Sequence, residues 1–560
     1  MLKKIALVLV AVFLVFSVYS YFRYQNLGPG EETTDWSPNQ ALDPVLWDTV
    51  APGRDITLYT SSQGWSEDLH TSFWHMDQGS LLTPYDIFLQ LNTADQSQLF
   101  RSASNIASFR YLPATVSDSN PDGLPIGFTK TENEWQGQNY LGMTCSACHS
   151  GVLIHDNQAL MIQGAPTHAD FQSMSEALSA SLTTAYEDQD AFDSLASRMG
   201  VTDENDKQAL RQRVENAAIR LSGRIELMQT PLRYGFGRLD AVGEIYNSVT
   251  VANLQEPKNI SPPSAPVSYP FIWGTGQSDV VQWTGFAPNY VPGGMLVRNV
   301  GEVLGVFGII EVEDEKKFTL GYKSTVNVEN LGTLESWVNT LEPPAWPTGV
   351  FGPIDVDKVA KGAAIYKAEC AECHEVVTPF QTYKAKLIKG SEVGTDLAAM
   401  NTTLETVKTV DNSDPDNPTV KDTPKLEILV KQSVGAILNQ PKAAIEAGAA
   451  EDIPDQFAKA GSDTYKARPL NAIWATPPYL HNGSVPTLHD LLLPVDQRPT
   501  SFAVGGWDFD PVKVGLLPYT GADAFTIDTT LPGNLNTGHT YGTQLSEDDR
   551  MALIAYLKTL

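Results

Sequence analysis

The closing stretch of the chain, LIAYLKTL, sets Leu553, Tyr556, Leu557 and Leu560 at i, i+3, i+4 and i+7, one apolar stripe of a helix. Ser546 followed by Glu547, Asp548 and Asp549 predicts where that helix starts, with a cap and negative charge at the positive end of its dipole. The spacing recurs in LESWVNTL, residues 334–341, where Leu334, Trp337, Val338 and Leu341 again place an aromatic second. FQSMSEALSASL and DKQALRQRVENAAIRL predict helices within residues 171–229. Elsewhere the period fades. Residues 25–130 carry four tryptophans and many turn signals, and residues 256–294 are rich in Pro, Gly and aromatics, which predicts loop packed over something. The acidic DNSDPDNP, within an insertion between Cys373 and Arg468, predicts a solvated loop and lacks the glycine and glutamate of an EF-hand. At the other extreme, residues 5–22 form eighteen largely apolar positions behind Lys3 and Lys4. That is long for a signal segment and just long enough to span a bilayer.

Both periodic repeats lie downstream of an unusual cysteine motif. LGMTCSACHSG holds Cys145, Cys148 and His149, and KAECAECHEV holds Cys370, Cys373 and His374; these four are all the cysteines in the chain. A lone Cys-x-x-Cys fits a redox dithiol or half of a zinc site. Here the pairs lie in opposite halves of the chain and each is followed directly by histidine, which favours c-type haem attachment, with dithiol or zinc as the alternatives. The spacing suits the chemistry: one helical turn presents two sulfurs to one porphyrin edge and aims the imidazole at the iron. Two covalently bound c-type haems are therefore expected, on Cys145 and Cys148 with His149 on one iron, and on Cys370 and Cys373 with His374 on the other.

Haem attachment of this kind places the body of the protein outside the cytoplasm. The periplasmic or extracellular side of the cell envelope is expected, with residues 1–24 a removed signal or, preferably, an uncleaved membrane anchor. The net charge of −28, from 38 basic and 66 acidic residues, excludes nucleic acid and anionic membrane surfaces as natural partners. With every thiol committed to haem, none remains for disulfides. Each iron also needs an account of its sixth position. His539 in NTGHTYG, bounded by Gly538 and Gly542, is the preferred candidate in the second half; His481 and Met400 are the others.

KGAAIYKAECAECH resembles the first helix of class I cytochrome c, with Gly362 and Tyr366 eight and four residues before Cys370. The resemblance implies that the closing helix crosses tightly at the glycine and packs an aromatic there, with Tyr556 the candidate. The expected fold is mainly α: two class I cytochrome c-like domains, the first enlarged by loop-rich insertions. Residues 25–341 form the first, EPPAWP at 342–347 the linker, and residues 348–560 the second.

RPLNAIWATPPYLHNGSVPTLHDLL, residues 468–492, is similar to the bacterial di-haem cytochrome c peroxidase family. With the large first half and GHTYG, it looks most like the branch of rubber oxygenase and fatty-acid dioxygenase. That resemblance covers roughly residues 130–560. It implies a reactive first haem with His149 proximal, and a second haem ligated by His374 and His539. Classical peroxidases place a glutamate near the reactive haem, and Glu244 in GRLDAVGEIYN is the one candidate here. Arg238 and Arg468 are candidates to pair with haem propionates, and Trp273, ahead of Trp283, to relay electrons between haems. The expected function is a di-haem oxidoreductase that activates peroxide or dioxygen with an organic or protein electron donor. The alternatives are a dioxygenase of unsaturated lipid or isoprenoid, and a pure electron carrier.

Overall fold

The computed structural model describes residues 36–118, 120–132, 137–289, 293–312, 321–411, 419–447 and 463–560. The apolar segment 5–22 and residues 412–418 of the acidic insertion lie outside these residues. No helix among the described residues is long and apolar enough to cross a membrane.

The fold departs from the expected mainly α pair of class I cytochrome c domains. It is mixed, with 39% of residues helical, 17% in strands and several separate sheets. The reason lies around the first cysteine motif, which follows no long helix. It sits between the strands Tyr140–Met143 and Ser150–His155. The first joins Thr83–Pro84 and Phe128–Thr131 in a three-stranded sheet; the second pairs with Gln158–Gln163 in a four-stranded one. These strands are buried almost throughout, so they lack the polar alternation that marks a half-exposed strand.

The predicted helices form where periodicity was strong. Phe171–Glu187 starts at Asp170, whose side chain accepts from Ser173 N, and it packs along Glu204–Leu227, capped by Asp203. The closing helix Glu547–Leu557 starts at Ser546, which accepts from Asp549 N. It lies across Val356–Glu369, the helix leading into Cys370. At the crossing a Cβ on Gly362 would stand 2.0 Å from Ala552 O, and the Tyr366 and Tyr556 rings meet at 5.1 Å. Backbone cannot move aside for a methyl group at that distance. Gly362→Ala is expected to cost at least the ~1–3 kcal/mol of an overpacked core, read as a lowered midpoint in thermal or denaturant unfolding.

One large core joins both halves. Trp346, in the 342–347 segment, is buried against Phe351, Trp474 and Phe509, and such aromatic pairs contribute roughly 0.5–1.5 kcal/mol each beyond their buried area. Backbone links run the same way: Ile154 N donates to Trp507 O (2.7 Å) and Ser268 N to His481 O (2.9 Å).

Candidate haem sites

Both cysteine motifs wrap into a single turn with matching hydrogen bonds. In the first, Cys148 N and His149 N donate to Cys145 O at 3.2 and 3.0 Å; in the second, Cys373 N and His374 N donate to Cys370 O at 3.1 and 2.9 Å. In the second motif Cys370, Cys373 and His374 line one cavity, as vinyl attachment and iron ligation require; in the first, Cys145 and His149 share a cavity while Cys148 packs against a second core cluster.

The first turn is held from behind by the helix Glu67–His75, where Thr144 Oγ1 donates to Trp74 O (2.9 Å) and Ser146 Oγ to Phe73 O (3.3 Å). Gly127, at φ +88°, lies so close beneath that a Cβ would fall 2.2 Å from Ala147 N. Burial pushes the Cys145 and Cys148 thiols up to about 12 and brings His149 down to about 4. The thiols are thus uncharged, and the imidazole is neutral with a free electron pair. His149 Nδ1 is buried with no hydrogen-bond partner among the described residues, and the Tyr269 ring stands edge-on to His149 at 6.5 Å. Beside them a cavity of about 80 Å³ is lined by Phe271, Trp283, Arg298, Glu302 and Glu335, with no second histidine.

The second site is roomier, about 310 Å³, and three histidines line it: His374, His481 and His539. His374 Nδ1 lies 2.7 Å from Arg468 O, so that nitrogen carries the proton and Nε2 is left with its lone pair. The His374 and His539 rings lie with centres 6.2 Å apart and planes tilted by 52°. Two imidazoles bound to one metal from opposite sides, each by a bond of about 2 Å, place their centres roughly 6 Å apart. His481 is engaged elsewhere, its ring 4.5 Å from that of Tyr465 and its Nε2 3.3 Å from Tyr465 Oη. Met400 is buried beside Gly390 and outside this lining.

The loop that carries His539 is built for its position. His539 itself has φ +45°, between Gly538 at +70° and Gly542 at +72°. A Cβ on Gly538 would stand 2.3 Å from Thr395 N. His539 N donates to Val393 O (3.0 Å), and the Arg498 guanidinium donates to Asn536 O, Gly538 O and His539 O at 2.6, 2.9 and 3.1 Å. A non-glycine left-handed residue costs about 1–3 kcal/mol, and such strain collects at ligand sites. Arg498 escaped notice in the sequence because a guanidinium that binds only backbone carbonyls leaves no motif.

The other sequence candidates divide. Arg238 is spent on structure: its guanidinium donates to Tyr234 O, Asn482 O and Asn534 Oδ1. Arg468 keeps a buried Nε without a partner. Trp283 lines both cavities, whereas Trp273 lines neither; it stacks on Phe271 and donates to Asn471 O (2.9 Å). Trp283 is thus the indole that borders both cavities, while the preferred Trp273 reaches them only through Phe271. Glu244 is fully enclosed, with both carboxyl oxygens unpartnered among the described residues. The nearby Tyr234 hydroxyl donates instead to Pro263 O (2.8 Å). Burial pushes Glu244 well above the usual carboxyl range, against the pull of the Arg224 guanidinium, and it lies within electrostatic reach of Cys148 and Tyr269.

These donor sets fit haem c. Each holds two thiols and a neutral imidazole in one turn; the second adds an opposed imidazole and space, while at the first the fit rests on the donors rather than on room. The comparisons agree in kind. Residues 464–503 match the family described as RoxA-like, cytochrome c-like. Over 89% of its length the chain is 31% identical to the uncharacterized protein y4iJ of Sinorhizobium fredii (strain NBRC 101917 / NGR234), covering 92% of that protein. Against the uncharacterized protein y4iM of the same strain it is 24% identical over 50% of its length and 60% of the relative. The near full-length likeness shows that the chain belongs to the family of y4iJ, and within it residues 464–503 match a RoxA-like cytochrome c domain, which supports covalently bound haem c.

Proposed function

We propose that this haem oxidoreductase holds two haems and works asymmetrically. One is held by Cys145, Cys148 and His149 and reacts with peroxide or dioxygen. The other is held by Cys370, Cys373, His374 and His539 and exchanges electrons with it. The observation that carries the reading is the difference in what stands opposite each proximal histidine. His374 faces His539, whereas the lining beside His149 offers no second histidine among the described residues. An iron with both axial positions filled by protein mainly moves electrons, while one with an open position binds small oxidants.

The chain's own residues give the first site its other tools. Glu244, buried and raised above the usual carboxyl range within electrostatic reach of Cys148, is the candidate to supply a proton to a reduced oxygen atom, although it stands outside the lining of the first cavity. Phe271 and Trp283 belong to the linings of both cavities and are the aromatic candidates to carry electrons between them. We place the protein on the outer side of the cytoplasmic membrane, in the periplasm or beyond, where haem c is attached, with residues 5–22 as the export signal or anchor. Within this reading residues 25–341 serve the reactive haem and residues 348–560 the electron-transfer haem.

The reaction is tested by mixing the protein with hydrogen peroxide and a reduced donor, and separately with dioxygen and an unsaturated fatty acid or polyisoprenoid. Donor oxidation that requires peroxide supports peroxidase chemistry. Dioxygen uptake with an oxygenated product and no added reductant supports the dioxygenase. If neither turns over and carbon monoxide binds neither ferrous haem, the protein is an electron carrier. Glu244→Gln keeps the shape but cannot release a proton. It is expected to lower turnover ~10²–10⁴-fold with the haem absorption bands unchanged.

A further inference from the structure

We infer that Lys466 and Arg468 form one cationic bridge that holds propionate carboxylates of both haems, so that charge at this point sets both haem potentials together. The inference rests on the two-haem reading above. Lys466 lies in the strand Thr464–Ala467 and Arg468 one residue beyond its end. Two positions apart on an extended chain, their side chains leave on the same side. Both residues line the cavity of Cys145 and His149, and both also line the cavity of Cys370, Cys373 and His374.

Neither cation has an anionic partner among the described residues. Lys466 Nζ donates to Val280 O (3.2 Å), Arg468 Nη2 donates to Phe271 O (2.9 Å), and Arg468 Nε is buried and unpartnered. Two carboxylates line the first cavity beside them and are engaged by other groups: Glu335 accepts from Arg298 and Asn299, and Glu302 accepts from Gln282. Arg298 adds a third positive charge and is taken by Glu335. Asp279, the acidic group that acts on Lys466, accepts from Ala385 N (2.8 Å) and makes no ion pair with the lysine. Tyr383 near Arg468 is neutral, its hydroxyl pushed up by burial. Enclosure among other cations pushes the Lys466 ammonium well below its usual range, and a buried guanidinium with an unpartnered Nε is costly, so a carboxylate placed between the two would satisfy the arginine and restore the charge of the lysine. Haem c supplies the missing anions, because each porphyrin bears two propionates on the edge away from its thioethers. The guanidinium and ammonium groups then bind them in charge-assisted hydrogen bonds. The shared lining makes the two haems neighbours of the same charges.

A positive charge near an iron favours its reduced form. Lys466→Met and Arg468→Met are each expected to lower the midpoint potentials of both haems. The expected change is about tenfold in each one-electron reduction constant, about 59 mV, read by spectroelectrochemical titration. Lys466→Arg keeps the charge and should leave both potentials near those of the parent. A shift confined to one haem, no shift, or an equal shift in Lys466→Arg overturns the bridge. Added octanoate should leave the potentials unchanged; an octanoate-dependent shift that disappears in Lys466→Met would assign the cations to an external carboxylate instead. If the methionine variants fail to retain haem, the unaltered protein decides. Its resonance Raman propionate bending bands should move in deuterium oxide for both haems, and bands insensitive to deuterium at either haem overturn the proposal. Haem content is measured first. A single haem defeats the two-haem reading, whereas two haems without a shared shift defeat only the bridge.

Discussion

The denatured, acid-extracted protein is expected to retain two haems, and Cys148→Ala or Cys373→Ala to remove nearly all attachment at its own site. The expectation rests on the matched turns. Cys145 O and Cys370 O each accept from the two backbone groups that follow at the second cysteine and the histidine, so both motifs present the same three side chains in the same order. Thioether bonds survive unfolding, whereas ligand bonds to iron do not; extraction therefore separates covalent haem from haem merely held by histidines. Mass spectrometry of the parent and of each variant reads the outcome directly. A parent with no covalent haem, or with zinc at the cysteines, ends the haem reading. Loss of both haems in a single variant would instead mean that one site must be filled before the other can fold. The shared core makes that dependence conceivable, and limited proteolysis of the variant distinguishes it from loss at one site.

The second large effect concerns His539. His539→Ala should convert one low-spin haem to high-spin and leave the remaining spectrum unchanged, as read by electron paramagnetic resonance and visible absorption. The ring sits 6.2 Å from that of His374 on a loop that spends a left-handed residue and an arginine clamp to put it there. Its Nδ1 is buried without a hydrogen-bond partner among the described residues, and beyond His374 its ring meets the edge of Tyr541 at 5.3 Å. His481→Ala is the control, because that ring lines the same cavity but lies against Tyr465. Conversion by His481→Ala and not by His539→Ala would show that the loop carries its histidine for another purpose. Arg498→Ala, which releases Asn536 O, Gly538 O and His539 O, should produce a partial version of the same spectral change without touching the imidazole.

The two matched cysteine turns were legible in the chain because such a turn is local. Two thiols and an imidazole act together when one turn presents them, and a turn is five residues long wherever it occurs. The closing helix, its Ser546 cap and its crossing over Gly362 were legible for a related reason: period, cap and glycine each act within a turn or at a single close contact. The mainly α expectation failed where the signal itself was missing. Strands such as Tyr140–Met143, enclosed on both faces, carry no alternation to read. Only the folded chain decided the rest. It set Trp283 rather than Trp273 at both cavities and left a free donor on Arg468 rather than on Arg238, while His539, already preferred in the sequence for its glycine-bounded loop, lies 6.2 Å from His374. In each pair the two residues have the same chemistry, so composition and spacing cannot rank them. What separates them is which neighbours the packing brings within 3–6 Å, and those neighbours come from segments far apart in the chain.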